Sequence, residues 1–191
     1  MPYPAPSPHA KAVAVRAAEV IGVRPTIRAF YNNDESERVA LALAQDWPRP
    51  GINCVLTVDL TTTPLALGGE ECELLAIAAA GWTKLLNVVG DMGLRARVGN
   101  VVADPGMIWY NGLAPSYPDL RVRHLLVANP LEPPLQLTGP AGLAFPVRWL
   151  QLIPITEVEL KVLEDVGPDK FAELLGQHKV VIEDWGRESF V

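Results

Sequence analysis

The 191-residue sequence contains no run of about 18 or more uninterrupted apolar residues, the length a membrane-spanning helix requires. It opens Met1-Pro2-Tyr3-Pro4-Ala5-Pro6, without the basic and apolar regions of a secretory signal, so a cytoplasmic protein that does not enter the membrane is expected. Histidine is scarce: His9, His124 and His178 are the only three, and none stands at zinc-ligand spacing from a cysteine or another histidine, so no metal site is expected. The two cysteines, Cys54 and Cys72, each sit within an apolar run and read as small buried hydrophobes, a disulfide being the exception in a reducing compartment. The glycine-rich phosphate loops G-x-G-x-x-G and G-x-x-x-x-G-K-S/T and the nucleophile elbow G-x-S-x-G are absent, which argues against a nucleotide cofactor and against the commoner hydrolases. Basic residues are outnumbered, 16 against 22 acidic, and the net charge of -6 opposes a phosphate backbone; nucleic acid is not expected as a partner, whereas a basic protein would be attracted.

What is present is apolar residue in quantity, 49% of the chain, with 18 prolines and 15 glycines scattered as punctuation. A chain of this length buries roughly 70% of its unfolded surface in one core. Ser7-Pro8 reads as a helix cap, with Val13, Ala17, Val20 and Ile21 at helical spacing up to Gly22. Thr26 to Tyr31 reads as a strand entering the turn Asn32-Asn33-Asp34, and Val39 to Ala44 is apolar enough for strand or helix. Asn53 to Leu60 is β-branched and reads as a strand; Glu73 to Ala80 fits a central strand or a helix start, broken by Gly81. Trp82, Leu85, Leu86 and Val89 have the helical period, with Gly90 and Gly93 near the expected end. Asp104-Pro105-Gly106, Asn111-Gly112 and Ala114-Pro115 are turns around a short extended piece, Met107 to Tyr110. Arg121 to Ala128 alternates as a half-exposed strand would, and Phe145 to Leu152 is a further strand. Thr156 and Glu159 form a capping box for a helix closed by Gly167, and Asp169 to Leu175 makes another ending at Gly176. The sum is one α+β domain, a mixed β-sheet flanked by helices: residues 1–37 supply an N-terminal helix and strand of the same domain, and residues 38–191 its core.

Candidate chemistry is thin. Ser189, His124 and Asp184 could be written as a triad, but no local motif exposes the serine. Glu70-Glu71 after Gly68-Gly69 reads as a solvated loop, not an acid and base pair, and His124 on its strand reads as a hydrogen-bonded structural residue. Trp149 with Leu150, Ile153, Pro154 and Ile155 reads as core. Binding surfaces gather on loops held by a rigid scaffold, so Asp104, Trp109, Tyr110 and Tyr117, with Trp82 and Asp91 of the neighbouring helix, are the candidate partner-binding residues; Trp109-Tyr110 is the expected exposed pair.

From Val39 onward the order of motifs resembles the suppressor-of-fused (SUFU-like) family. The strand Asn53 to Leu60 with Thr61-Thr62-Thr63-Pro64, then Glu73-Leu74-Leu75 and the helix after Trp82, are similar to its first half. Arg123-His124-Leu125-Leu126 before Asn129-Pro130, Val147 to Thr156 with Glu157 and Glu159, then Asp184 and Arg187-Glu188-Ser189, resemble its C-terminal signature. Two departures stand out, Asp59 where small residues are usual and Trp185 before the arginine. The resemblance implies an α/β sandwich of the bacterial single-domain kind, no catalytic site, no cofactor, and a role in binding protein. For a short bacterial member it implies an immunity protein that occludes the catalytic domain of a cognate polymorphic toxin; the alternative is a regulatory or chaperone-like module that takes a partner peptide as an added strand at a sheet edge.

Overall fold

A computed structural model describes residues 6–60, 71–99, 103–131 and 147–191. The turn at 61–64, the Gly68 to Glu70 stretch and Phe145 lie outside these residues. The chain runs α1 (Pro8–Ile21), β1 (Thr26–Tyr31), β2 (Arg38–Ala44), β3 (Ile52–Thr57), β4 (Glu71–Ala79), α2 (Leu85–Arg97), β5 (Ile108–Trp109), β6 (Val122–Ala128), β7 (Val147–Thr156), α3 (Glu157–Val166) and α4 (Pro168–Gln177). The seven strands lie in the order β1-β2-β3-β4-β7-β6-β5. Every pairing is antiparallel except the central one, where β4 meets β7 in parallel.

Local chemistry sets the helix ends. The Ser7 hydroxyl accepts the Ala10 N–H at 3.0 Å and Gly22 closes α1 in the left-handed region, φ +73°. In α3 the capping box is complete: Thr156 Oγ1 accepts the Glu159 N–H at 3.1 Å, and the Glu159 carboxylate accepts the Thr156 N–H at 2.9 Å.

Two layers of helix sandwich the sheet. On one face α2 packs Leu85, Val88, Val89 and Met92 over Val39, Leu41, Val55, Leu74 and Leu150. On the other, α1 covers β2 and β3 through Val13, Ala17 and Ile21, and α3 and α4 cover β6 and β7 through Leu160, Leu163, Phe171 and Leu175. Covering both faces explains the continuous apolar runs: Val39 to Ala44 and Glu73 to Ala80 are interior strands that alternate between two cores. Cys54 and Cys72 are buried as thiols, one in each core.

Two expectations are corrected. The segment Arg121 to Ala128 is not half-exposed: only Arg121 and Arg123 at its start face water, and His124 to Val127 are buried because helices cover one face and the Trp109–Leu113 turn the other. The helix after Trp82 begins at Leu85 and passes through both glycines to Arg97. These glycines are close-approach positions: a Cβ on Gly90 would collide with the Phe30 ring of β1, and one on Gly93 would lie 3.2 Å from Thr57 Cγ2.

The two sequence departures are structural. Asp59 accepts the Ala40 N–H at 2.8 Å beyond the end of β3 and pairs with Arg97 of α2 at 2.9 Å. Arg97 also donates to the Asp59 and Arg38 carbonyls, clamping the C-terminal end of α2 to the sheet. Trp185 is fully buried and its Nε1–H donates to the Ile77 carbonyl at 3.2 Å. The segment carrying it is fastened by Arg187, whose guanidinium grips the buried Glu159 carboxylate at both oxygens and donates to the Pro154 carbonyl at 3.0 Å.

Two stability outcomes follow from this packing. Trp149→Ala empties the largest site in the α1-side core and is expected to cost about 3–5 kcal/mol in urea unfolding, wild-type stability being the contrary result. Arg187→Ala leaves Glu159 buried without its cation and should cost about 3–5 kcal/mol, part of it recovered when Glu159→Leu is added; strictly additive losses would show that the two do not act as a pair.

Candidate functional site

Three distant segments converge beside the N-terminal end of α2. The turn leading out of β4 presents Trp82, the Leu113 to Tyr117 turn presents Tyr117, and the C-terminal segment lays Trp185 beneath both. Trp82 stacks on Trp185 with centroids 6.4 Å apart and planes at 29°; Tyr117 stands edge-on to Trp82 at 5.5 Å and to Trp185 at 6.1 Å. Gly186 permits this approach, since a Cβ there would meet the Trp82 ring at 3.3 Å. Lys84 closes the group: its backbone N–H donates to the Tyr117 hydroxyl at 2.7 Å, and its ammonium donates to the Ser116 carbonyl at 2.9 Å and lies 5.6 Å from the Tyr117 ring centre. Burial raises the Tyr117 phenol above its ordinary pKa, opposed by the Lys84 N–H. Trp82 and Tyr117 are half-buried and rigidly seated, with Lys84 exposed beside them. A fixed aromatic surface with an adjacent cation has the make-up of an anchor for another protein.

Of the six residues singled out in the sequence, Trp82 and Tyr117 meet here. Asp91 lies further along α2, paired with Arg95 at 2.9 Å beside a small polar hollow that includes Phe30, Tyr31 and Glu37. Asp104 is exposed in a turn where its carbonyl accepts the Met107 N–H at 3.0 Å. Trp109 is a correction: it is 5% exposed and belongs to the core, because β5 pairs it with Leu125. Its neighbour Tyr110 is 61% exposed, stands edge-on to the His124 ring at 5.9 Å and approaches Glu164 with its hydroxyl at 3.3 Å. Lys84, Ser116 and the supporting role of Trp185 carry no local sequence signal, since they acquire meaning only when the three segments meet.

The triad that could be written from the sequence does not assemble. His124 Nδ1 accepts the Asn111 N–H at 3.2 Å, so its proton sits on Nε2 and points to Glu157 at 2.8 Å. Neither nitrogen faces Ser189 or Asp184; Asp184 accepts the Gly186 N–H at 2.9 Å, and the Ser189 hydroxyl accepts the Val191 N–H at 3.4 Å. The Thr57 hydroxyl donates to the buried Glu73 carboxylate and accepts the Leu74 N–H at 2.8 Å. Among the described residues no group of three or more His, Cys, Asp or Glu could hold a metal ion, and no helix is long and apolar enough to cross a membrane.

Residues 37–188 match the family described as suppressor of fused protein (SUFU). Immunity protein YqcF of Bacillus subtilis (strain 168) is 25% identical over 192 residues, which take in 95% of this chain and 96% of that protein. In three dimensions the chain is similar to the Sufu–Fu complex, with a TM-score of 0.69 at 13% identity over 97% of this chain and 93% of that one. A suppressor of fused homologue from Neisseria gonorrhoeae FA 1090 gives 0.68 at 14% identity over 96% and 97% of the two chains. Drosophila Suppressor of Fused gives 0.67 at 14%, over 96% of this chain but 51% of the longer fly chain.

The Tyr110 environment predicts a titration. Desolvation and then the negative charge of Glu164, which also accepts the hydroxyl's hydrogen bond, hold the Tyr110 phenol above the ordinary tyrosine value. Ultraviolet difference titration, with Tyr110→Phe to identify the signal, should place its midpoint above that of a free tyrosine, and Glu164→Gln should return it part of the way. A midpoint unmoved by Glu164→Gln would remove that carboxylate from the account.

Proposed function

Since the chain belongs to the suppressor of fused family, a family of protein-binding domains, we propose that it is an immunity protein that neutralises a cognate toxin by binding the toxin's catalytic domain. The observation that carries this reading is the end-to-end match to a protein named for immunity, over 95% of one chain and 96% of the other.

Neutralisation by occlusion needs area and complementarity more than chemistry. A stable complex of this kind buries about 1,600 Å² in total, with a few aromatic and arginine anchors supplying most of the energy. Trp82 and Tyr117 fit the part of anchors: their rings are already ordered by Trp185 and Lys84, so little side-chain entropy is lost on binding. The surplus of 22 acidic over 16 basic residues favours a basic toxin domain and a fast encounter with it in the cytoplasm, where such a toxin would act.

A second reading has one observation of its own. Among the described residues the edge strand β1 pairs with β2 alone, and Thr26 to Ala29 are exposed, Ile27 at 51%. An extended peptide of a regulatory partner could add there as a further strand.

The test is to purify the tagged protein gently from its native cell, identify what accompanies it, and express that partner in cells with and without this chain. The immunity reading expects a partner whose C-terminal domain kills cells lacking the chain and spares cells expressing it, with Trp82→Ala weakening the complex by about 2 kcal/mol. A harmless partner displaced by a short peptide of its own sequence would instead establish strand addition.

A further inference from the structure

Acidic charge is concentrated on one layer. Across residues 157–177, which span α3 and α4, six carboxylates stand against two lysines, and without Glu159, which Arg187 neutralises, the layer carries -3. Glu159 is spent on Arg187 inside the protein, but Glu157, Glu164, Asp165, Asp169 and Glu173 are all exposed. The structural explanation, a solvated helix face that aids solubility, accounts for the charge alone. It does not account for what lies beside it.

Between α4 and the far end of β6 runs a groove of about 440 Å³. Its floor is Leu126 and Ile153 of the sheet, and its α4 wall is Ala172 and Leu175. The Pro105–Gly106 turn bounds it, held so close to α4 that a Cβ on Gly106 would meet Pro168 Cγ at 3.3 Å. Apolar residues stand open at the rim: Leu131 is 47% exposed, and Val181, between the lining Val180 and Ile182, is 54% exposed. Asp169 lines the groove from the first turn of α4, Glu173 lies one turn on in an exposed pair with Lys170 at 2.6 Å that a stronger cation can displace, and the cation of the lining is Lys179. An apolar slot with open apolar rims on an acidic layer combines two features that a monomer gains nothing from exposing together.

We propose that this groove seats a basic segment of a partner protein, an apolar side chain entering the slot between α4 and β6 while flanking lysines or arginines meet Asp169, Glu173 and the neighbouring carboxylates of α3. Charge complementarity decides the occupant, since an acidic segment would face the same layer at a repulsive cost. The inference deepens the immunity reading by naming the kind of toxin segment that is held, and the two can fail separately.

The experiment titrates the isotope-labelled protein with a short peptide alternating lysine and leucine, followed by nuclear magnetic resonance, with the glutamate–leucine peptide as control. Saturable shifts should appear at Leu131, Ala172 and Leu175 with the lysine peptide alone and weaken as salt is raised. Ala172→Trp, which fills the slot, and the pair Asp169→Lys with Glu173→Lys should each lower the affinity about tenfold or more while the melting temperature is kept. Absence of saturable binding, equal binding of the glutamate peptide, or an Ala172→Trp protein that binds like wild type would overturn the groove. In cells carrying the toxin, protection by wild type that survives undiminished in the charge-reversed pair would overturn it too, leaving immunity intact; peptide binding at the groove in a protein that protects against nothing would sink immunity and leave the groove standing.

Discussion

The buried carboxylate of Glu159 is the constraint on which the rest of the molecule depends. It accepts the Thr156 N–H, both guanidinium branches of Arg187 and the Phe190 N–H, so one side chain ties together the end of β7, the start of α3 and the C-terminal segment. A carboxylate this deep in the fold is tolerable only because its oxygens are satisfied by donors in fixed positions. Fastening Arg187 also fixes the residues before it. Glu183 then lies where its carbonyl accepts the Ala79 N–H and its carboxylate accepts from Arg49, and Trp185 lies where it can support Trp82. The aromatic surface beside α2 is in this sense assembled by an ion pair elsewhere in the fold, through a segment with almost no regular structure.

The same dependence explains what the sequence reveals and what it conceals. Helices α1, α3 and α4 are legible nearly to the residue, because Ser7, Gly22, the Thr156–Glu159 box and Gly167 act on their own neighbours. Gly90 and Gly93 mislead for the opposite reason. A glycine required by a distant Phe30 or Thr57 looks, from sequence, the same as one that ends a helix. The basic residues Arg121 and Arg123 suggest a half-exposed strand, but helices from the end of the chain roof over the remainder of β6. Trp109 sits among turn residues that suggest exposure, and cross-strand pairing with Leu125 takes it inside. The surface of Trp82, Tyr117 and Lys84 is concealed altogether, since its parts come from segments far apart in the chain.

Likeness to the solved structures at 13–14% identity shows how little of the sequence the architecture needs. What carries over is a sheet covered on both faces by helices. Its surfaces are left to vary: the polar residues buried here, Asp59, Thr57, Glu73, His124 and Glu159, are committed to internal partners, whereas most of the carboxylates on α3 and α4 face water. A family that binds different proteins on one scaffold would be built in this way.

The parallel junction at the middle of the sheet has a consequence for synthesis. Strands β1 to β4 are consecutive in sequence and pair as an antiparallel meander, but the partner of β4 is β7, which starts at Val147. Throughout translation of the intervening residues, the inner edge of β4 presents unpaired backbone and the run Leu74, Leu75, Ala76 and Ile77 without the strand that will cover it. The growing chain is therefore most exposed to aggregation between the synthesis of β4, ending at Ala79, and that of β7, ending at Thr156, and that interval is when a nascent-chain chaperone would have most to protect.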